Sequence, residues 1–157
     1  MSSGNSGTGI KTIAVNRKVR HFFEILETLE AGIVLTGSEV KSLRAGRVSF
    51  KEGHVRFDQG QAFLVDVHIA PYENAGYAQH DPVRPRKLLM HKAEIARLMG
   101  KVEQKGLTVV PLKMYFRKGR AKVEVALARG LPKHDRRETL KRRAVELDTA
   151  REMARYK

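Results

Sequence analysis

The sequence predicts a mainly β protein in which antiparallel strands, joined by tight turns, form a small barrel or sandwich with short helices added. Two segments alternate apolar and polar residues on both sides of a glycine-containing turn. The candidate helices are few and short, and the regular strand–helix alternation of a doubly wound parallel sheet is absent. A length of 157 residues fits one domain.

The first predicted hairpin spans Gly53–Ile69. Val55 and Phe57 alternate with polar residues, and Asp58-Gln59-Gly60 supplies the turn. Apolar residues alternate again after the turn, at Phe63, Val65, Val67 and Ile69.

The second predicted hairpin begins with the apolar, β-branched segment Leu107–Phe116 and turns at Arg117–Gly119. In its second arm, one face is expected to carry Val123, Val125 and Leu127, and the other Lys122, Glu124 and Ala126. Pro111 lacks a backbone N–H, so it predicts an edge strand or a bulge.

Two helices are predicted. Ser38 is expected to cap a helix over Glu39–Arg44 that Gly46 ends. The longer helix covers His91–Lys105, with a weak cap at His91 and a stop at Gly106.

Segment His21–Leu35 is ambiguous. Phe22, Phe23, Leu26 and Leu29 fit an amphipathic helix, whereas Ile33-Val34-Leu35 after Gly32 fit a strand. Periodicity alone favours a helix for the first half.

The net charge is +14, with 31 Lys and Arg against 17 Asp and Glu. Such a charge attracts polyanions, among which nucleic acid is favoured over a membrane surface, and RNA over DNA. The cations cluster at Lys11–Arg20, Lys41–Lys51, Arg84–Lys87 and the C-terminus; Tyr72, Tyr77, His80 and His134 offer donors and stacking planes nearby.

Several classes of protein and site are excluded or disfavoured. There is no Cys, which excludes disulfide scaffolds, thiol nucleophiles and iron–sulfur clusters. No apolar run approaches the roughly 18 to 20 residues that span a bilayer, and Met1–Gly9 has no features of a secretory signal. Phosphate-loop, metalloprotease and nucleophile-elbow motifs are missing, and the six histidines lack metal-ligand spacing. We therefore expect no catalytic residue, no metal and no cofactor.

Three segments are predicted along the chain: a flexible leader at 1–9, an RNA-binding domain at 10–130 and a basic tail at 131–157. After Gly130 only Leu131, Leu140, Val145 and Leu147 are large and aliphatic. That is too little apolar surface to offset the entropy of ordering, although Leu140, Ala144 and Leu147 fall on one helical stripe. The tail is therefore expected to be disordered when free and helical on a partner.

The long segment Pro71–Arg86 contains Pro82 and Pro85 together with Tyr77, His80 and Arg84. Segments of this kind are either functional loops or surface crossovers stiffened by proline, and the sequence does not favour one over the other.

From Asn16 onward the chain resembles the SmpB family, the bacterial RNA-binding partners of transfer-messenger RNA. The resemblance covers residues from about 12 to 157. It rests on five blocks in the right order: Asn16–His21, Glu30–Gly32, Gly37–Gly46, Asp81-Pro82 with Arg86–Leu89, and His134–Arg137.

The resemblance implies an oligonucleotide-binding-like antiparallel barrel with short packed helices, and a strand at His21–Leu35. It also implies RNA-binding roles for Asn16, Arg17, Lys18, Arg20, His21, Glu30, Lys41, Arg44, Leu89, Lys122 and Arg129. Glu30 is an acid among cations, and it can either accept hydrogen bonds from base amino groups or orient a neighbouring Arg.

For the tail, the resemblance implies contacts with the ribosome near the decoding centre through Lys133, His134, Asp135, Arg136, Arg137, Lys141, Arg142 and Arg143. After Gly130 the family usually carries lysines, whereas this chain has Leu131-Pro132, which implies a stiffer hinge.

The function that the resemblance implies is trans-translation by a cytoplasmic, monomeric, non-catalytic protein. Its partners would be the tRNA-like domain of transfer-messenger RNA, small-subunit rRNA at the decoding centre, the mRNA channel and EF-Tu. Two alternatives stay open: a barrel that binds rRNA directly, and a nuclease or RNA-modifying enzyme, which the lack of clustered carboxylates disfavours.

Overall fold

The computed structural model describes residues 9–72 and 80–132. Its three helices are α1 (Val19–Phe22), α2 (Gly37–Arg44) and α3 (Lys92–Lys105). Its nine strands are β1 (Ile10–Val15), β2 (Phe23–Ile33), β3 (Val48–Ser49), β4 (His54–Asp58), β5 (Gln61–Val65), β6 (His68–Ile69), β7 (Arg86–Leu89), β8 (Thr108–Arg117) and β9 (Arg120–Gly130).

Seven strands form one sheet in the order β1-β8-β9-β2-β7-β5-β4, and β3 pairs with β6 in a second, two-stranded sheet. Every pairing is antiparallel. The large sheet curls until β4 packs against β8, so that one of its faces encloses an interior. The predicted mainly β fold with short helices is therefore confirmed.

The interior holds the main core. It is lined by side chains from the sheet and from the inner faces of α2 and α3, including Leu43, Leu64, Leu88, Leu98, Met114, Val123 and Val125. A smaller cluster covers the opposite face of the sheet near α1 and consists of Val19, Val110, Leu112, Ala126 and Ala128. The sheet therefore has apolar cover on both faces at its α1 end.

The first hairpin has the predicted turn, because Gln59 and Gly60 both adopt positive φ angles of 51° and 74° between β4 and β5. The alternation predicted for the second arm is only partly found, since Val65, Val67 and Ile69 are buried but Phe63 is not. Ala62 and Leu64 are completely buried, whereas Phe63 lies on the other face. Asp66, with a φ of 60°, ends the strand, so Val67 lies outside the hairpin.

The second hairpin is confirmed as β8 and β9, joined at Lys118-Gly119. Pro111 stands at a bulge rather than on an edge strand, because β8 lies between β1 and β9 and its register shifts between Pro111 and Lys113. The extra residue is Leu112, which turns into the smaller apolar cluster.

Segment His21–Leu35 is mostly the long strand β2, as the family resemblance implies, so periodicity alone predicted the wrong element. Its alternation is interrupted by a bulge, since Ile25 pairs with Ala128 and Glu27 with Leu127. The extra residue, Leu26, moves the apolar side chains from one face of the sheet to the other.

The cap of α2 is Thr36, not Ser38. The Thr36 hydroxyl accepts from the Glu39 N–H, and the Glu39 carboxylate accepts from the Thr36 N–H at 2.9 Å, which makes a capping box. Ser38 is instead buried inside the helix. Helix α3 begins after His91 and ends at Gly106, which has the left-handed conformation predicted for its stop. None of the helices within residues 9–72 and 80–132 is long and apolar enough to cross a bilayer.

Candidate nucleic-acid interface

Ten of the eleven predicted RNA-binding residues fall into three groups, and the eleventh, Arg129, is described after the first group. The first surrounds α1 and contains Asn16, Arg17, Lys18, Arg20 and His21. Asn16 is fixed to the bulge of β8, because its side-chain Nδ2 donates to the Pro111 carbonyl at 2.9 Å and its backbone N–H donates to the Leu112 carbonyl at 2.7 Å. These two hydrogen bonds fix the backbone just before the exposed residues Arg17 and Lys18.

A groove of about 770 Å³, here called the α1 groove, lies beside this group. Asn16, Lys18, Phe22, Lys51 and Leu131 are among its lining residues, so it combines cations with apolar surface. The chain leaves β9 at its rim, because the Leu131 N–H donates to the Phe22 carbonyl at 2.9 Å. The tail therefore starts next to the first group of predicted RNA contacts.

Arg129 stands directly opposite Glu24 across β9 and β2, and its Nη1 donates to Glu24 Oε1 at 3.0 Å. Both side chains are more than half exposed. An exposed pair of this kind adds little stability, so the guanidinium stays available for an RNA phosphate.

The second group lies on the outer face of the large sheet. Strand register aligns Tyr115, Lys122, Gly32 and Leu89 in one row across β8, β9, β2 and β7. Glu30 is two residues from Gly32 on the same face. We call Glu30, Leu89, Tyr115, Arg117 and Lys122 the outer-face patch. Three of its members were predicted from the sequence.

Gly32 lies on β2, between Leu89 on β7 and Lys122 on β9, and it lets the Leu89 side chain approach β2 closely. A Cβ atom at position 32 would lie only 3.2 Å from the Leu89 Cβ, so a larger residue would displace Leu89. The Leu89 side chain is nevertheless 55% exposed. An apolar side chain is thus presented at the surface, across a glycine from an ammonium group, where it can pack against a ribose or base.

Glu30 is held by two donors. Its Oε2 accepts from the Tyr115 hydroxyl at 2.5 Å and from Arg117 Nη1 at 3.0 Å. The hydrogen bond from Tyr115 lowers the pKa of Glu30; burial opposes this, and the charges of Arg117 and Lys122 lower it further. Burial, followed by the Glu30 carboxylate, raises the pKa of the Tyr115 phenol. Of the two roles left open by the sequence, the observed contacts match the orientation of an Arg.

An open groove of about 540 Å³ runs along this patch toward the start of α3. Glu30, Leu89 and Lys122 line it together with the exposed cations Lys87 and Lys92. The fold therefore brings together residues that are far apart in the sequence.

The third group is on α2. Lys41 Nζ lies 5.4 Å from the centre of the Tyr72 ring, and the Arg44 guanidinium lies 5.9 Å from the centre of the Phe116 ring. Both cations are exposed. Phe116 pairs with Ala121 near the β8–β9 turn, so Arg44 lies at the cationic end of that hairpin.

The basic cluster Arg84–Lys87 is not a continuous RNA-binding surface. Arg86 is completely buried, and both Arg84 and Arg86 donate to the buried carboxylate of Glu39. His80 is also buried, between the Ser38 hydroxyl and the Ile69 carbonyl, each 2.8 Å from its ring. A stacking role for His80 is therefore wrong, and the C-terminal end of segment Pro71–Arg86 serves the core through His80 and Arg86.

Sequence reasoning missed Tyr115 and Arg117. Tyr115 lies in the apolar segment Leu107–Phe116 and Arg117 follows it, and the sequence was used there only to predict a strand. The alternation of Tyr115 and Arg117 with Met114 and Phe116 is the signal that places them on the opposite face. No group of three or more His, Asp or Glu side chains within residues 9–72 and 80–132 is placed to hold a metal ion. Tyr77, the predicted tail contacts from Lys133 to Arg143 and the predicted tail helix lie outside the described residues.

The chain matches the family model described as SmpB protein over residues 13–155. It belongs to the SmpB family. The SsrA-binding protein of Solidesulfovibrio magneticus is 63% identical over 149 residues, which are 95% of this chain and 97% of that protein. The SsrA-binding protein of Gloeothece citriformis is 56% identical over 157 residues, covering 99% of this chain and 100% of that protein.

A solved structure is also similar, with a TM-score of 0.67 and 55% sequence identity, over 82% of this chain and 94% of the other. It is described as "tmRNA-SmpB: a journey to the center of the bacterial ribosome". The fold expected for an SmpB protein is thus found in a relative that was studied with transfer-messenger RNA and the ribosome.

Proposed function

We propose that this SmpB-family chain binds the tRNA-like domain of transfer-messenger RNA and helps to deliver it, with EF-Tu, to stalled ribosomes for trans-translation. The observation that carries the proposal is the 56 to 63% identity to SsrA-binding proteins over nearly the whole chain, joined to the similar fold of a relative whose description names tmRNA, SmpB and the bacterial ribosome. The charge of +14 supplies the general attraction to RNA.

Residues 10–130 act as the RNA-binding domain. The α1 group, the outer-face patch and the cations of α2 make its contacts, with ammonium and guanidinium groups on phosphates and Leu89 on a ribose or base. No catalytic step is assigned to any residue. The chain works as a cytoplasmic monomer, and its role is to shape and orient the RNA.

Residues 131–157 form a separate functional segment, and residues 1–9 a leader without an assigned role. The tail enters the empty mRNA channel of the small subunit. Near the decoding centre, His134 stacks on an rRNA base while Arg136 and Arg137 pair with phosphates. The described end of the chain supports this arrangement, since Leu131 leaves the domain at its surface.

The test is a comparison of affinities for the tRNA-like domain of transfer-messenger RNA, an ordinary tRNA and an rRNA fragment, each at several salt concentrations. We expect a preference of at least about tenfold, or 1.4 kcal/mol, for the first RNA. Equal and steeply salt-dependent binding to all three would reduce the protein to a general basic RNA-binding barrel.

A further inference from the structure

Arg117 is an exposed arginine whose guanidinium uses only one of its nitrogens in the ion pair with Glu30. Nη1 donates to Glu30 Oε2 at 3.0 Å, and the Arg117 side chain is 49% exposed. Arg97 differs, because both of its terminal nitrogens donate to Glu27, at 2.8 and 2.6 Å. Since a guanidinium has five N–H donors, Arg117 keeps most of its capacity for a further acceptor.

The position of Arg117 is fixed from the sheet below. The Tyr115 ring is only 4% exposed, and its hydroxyl donates to the same Glu30 oxygen that accepts from Arg117. A buried phenol thus holds the carboxylate, and the carboxylate holds the guanidinium. An arginine that is already ordered loses less side-chain entropy when a ligand binds.

The charges around Arg117 favour an anion at the hairpin end, although a second acid, Glu124, lies directly opposite Glu30 on the same face. Arg117 stands directly opposite Arg120 at the end of the β8–β9 hairpin, and Lys118 lies in the turn between them. Like charges at directly opposite positions destabilise a sheet. Glu30 contacts only Arg117 of this pair. A phosphate at the hairpin end would compensate the remaining positive charge.

We propose that Arg117 contacts an RNA phosphate and that Glu30 is a positioning residue that holds the guanidinium for this contact. The inference rests on the proposed function, because the phosphate belongs to the RNA that the chain binds. It explains why an acid lies in a cationic surface: removing it would make the patch more positive and at the same time free Arg117 to move.

The test is a double-mutant cycle on the full chain with Glu30→Gln, Arg117→Gln and both together. Affinity for the tRNA-like domain of transfer-messenger RNA is measured at several salt concentrations. We expect Arg117→Gln to weaken binding about tenfold and to lower the salt slope by about one unit. Arg97→Gln is the matched control, because it removes the same charge from an arginine whose two terminal nitrogens both donate to Glu27, and it should change neither the affinity nor the slope by a comparable amount.

The sign of the Glu30→Gln effect separates three roles. Long-range electrostatics alone would strengthen binding when the acid is lost. A positioning role predicts weaker binding in the wild-type background and an effect within about twofold once Arg117 is Gln. If the Glu30 carboxylate instead accepts a hydrogen bond from a base, Glu30→Gln should weaken binding equally in the wild-type and Arg117→Gln backgrounds. That result would overturn the proposal. Arg117→Lys should restore the salt slope but only part of the affinity, since Lys lacks the planar fork.

The failure of this inference is distinguishable from the failure of the proposed function. Selectivity of the wild-type chain among the three RNAs tests the function, whereas the cycle compares variants on one RNA and is informative even if the wild-type chain binds all three RNAs equally. Unchanged affinity and slope in Arg117→Gln, with thermal unfolding as in the wild type, would place Arg117 outside the interface.

Discussion

Arg86 Nε donates to Glu39 Oε2 across 2.7 Å, and both side chains are completely buried. The same carboxylate accepts from Arg84 and from the Thr36 N–H, while other Arg86 nitrogens donate to the carbonyls of Val67 and Pro82. This buried pair therefore connects α2 with β7 and with the chain on both sides of segment 73–79. It orders the helix that carries Lys41 and Arg44.

Glu39→Gln should cost about 3 to 5 kcal/mol of unfolding free energy, because it leaves the Arg86 guanidinium buried without its counter-charge. Urea unfolding monitored by circular dichroism measures this loss. The control replaces both partners, Glu39→Met with Arg86→Leu, and should recover most of the stability. A single variant that loses less than about 1 kcal/mol would contradict a structural role for the pair.

The stability should depend on acid pH through Glu39. Burial alone would raise the pKa of Glu39, but hydrogen bonds from Arg84, the Thr36 N–H and Arg86 outweigh it, and the pKa is lowered. A lowered folded-state pKa contributes stability that is fully present above the usual glutamate value of about 4.3 and is lost as the pH falls below it. Urea midpoints between pH 7 and pH 3 should therefore fall more steeply in the wild type than in the double variant.

Gly32→Ala should weaken binding to the tRNA-like domain by about three- to tenfold, or roughly 0.7 to 1.4 kcal/mol, because the new Cβ displaces Leu89 from its place near Lys122. Thermal unfolding should change little, since Leu89 is exposed and alanine suits a strand better than glycine.

The matched control for this substitution is Gly100→Ala. Gly100 lies in α3 with nothing within 4 Å of its added Cβ, so the change should stabilise the helix by up to about 1 kcal/mol and leave RNA affinity unaltered. If Gly32→Ala binds RNA like the wild type, the close approach of Leu89 has no part in recognition.

Lys18→Ala should lower affinity and reduce the salt slope by about one unit, as expected for a single phosphate contact. Lys18 is exposed at the N-terminus of α1 and lines the α1 groove. Lys105→Ala, at the end of α3, removes the same charge away from the three groups. Equal effects of the two substitutions would indicate a general charge effect instead of a contact at Lys18.

A chain truncated after Pro132 should bind the tRNA-like domain within about tenfold of the wild type but fail to support tagging on stalled ribosomes. The truncation point matters, because the hydrogen bond from the Leu131 N–H to Phe22 closes the α1 end of the domain. Filter binding and an in vitro tagging assay measure the two properties. A larger loss of RNA affinity would mean that residues 133–157 belong to the same interface.

Hairpins and helix ends were predictable where local chemistry decides them. The Lys118-Gly119 turn and the stop at Gly106 both need a positive φ, and glycine signals that need in the sequence. The cap of α2 was misplaced because Thr36 and Ser38 are both good capping residues, and only burial of Ser38 against His80 separates them.

Elements and contacts that depend on distant partners were not predictable from local patterns. The bulge at Leu26 places Ile25 and Leu29 on opposite faces of the sheet, although their spacing fits a single face. The cation Arg86 was interpreted as part of an RNA-binding cluster because its buried counter-charge, Glu39, lies 47 residues away in the sequence. For the same reason, the role of Glu30 required the structure, since Tyr115 and Arg117 reach it from another strand.

The order of strands in the large sheet has a consequence for synthesis of the protein. Strand β9 lies between β8 and β2, and Phe23 pairs with Gly130, so the central ladder joins segments about 100 residues apart in the sequence. Pairings of such long sequence separation make folding slow. During synthesis on the ribosome, the edge of β2 that pairs with β9 stays unpaired until β9 has left the exit tunnel. Until then the unpaired edge of β2 exposes the nascent chain to aggregation.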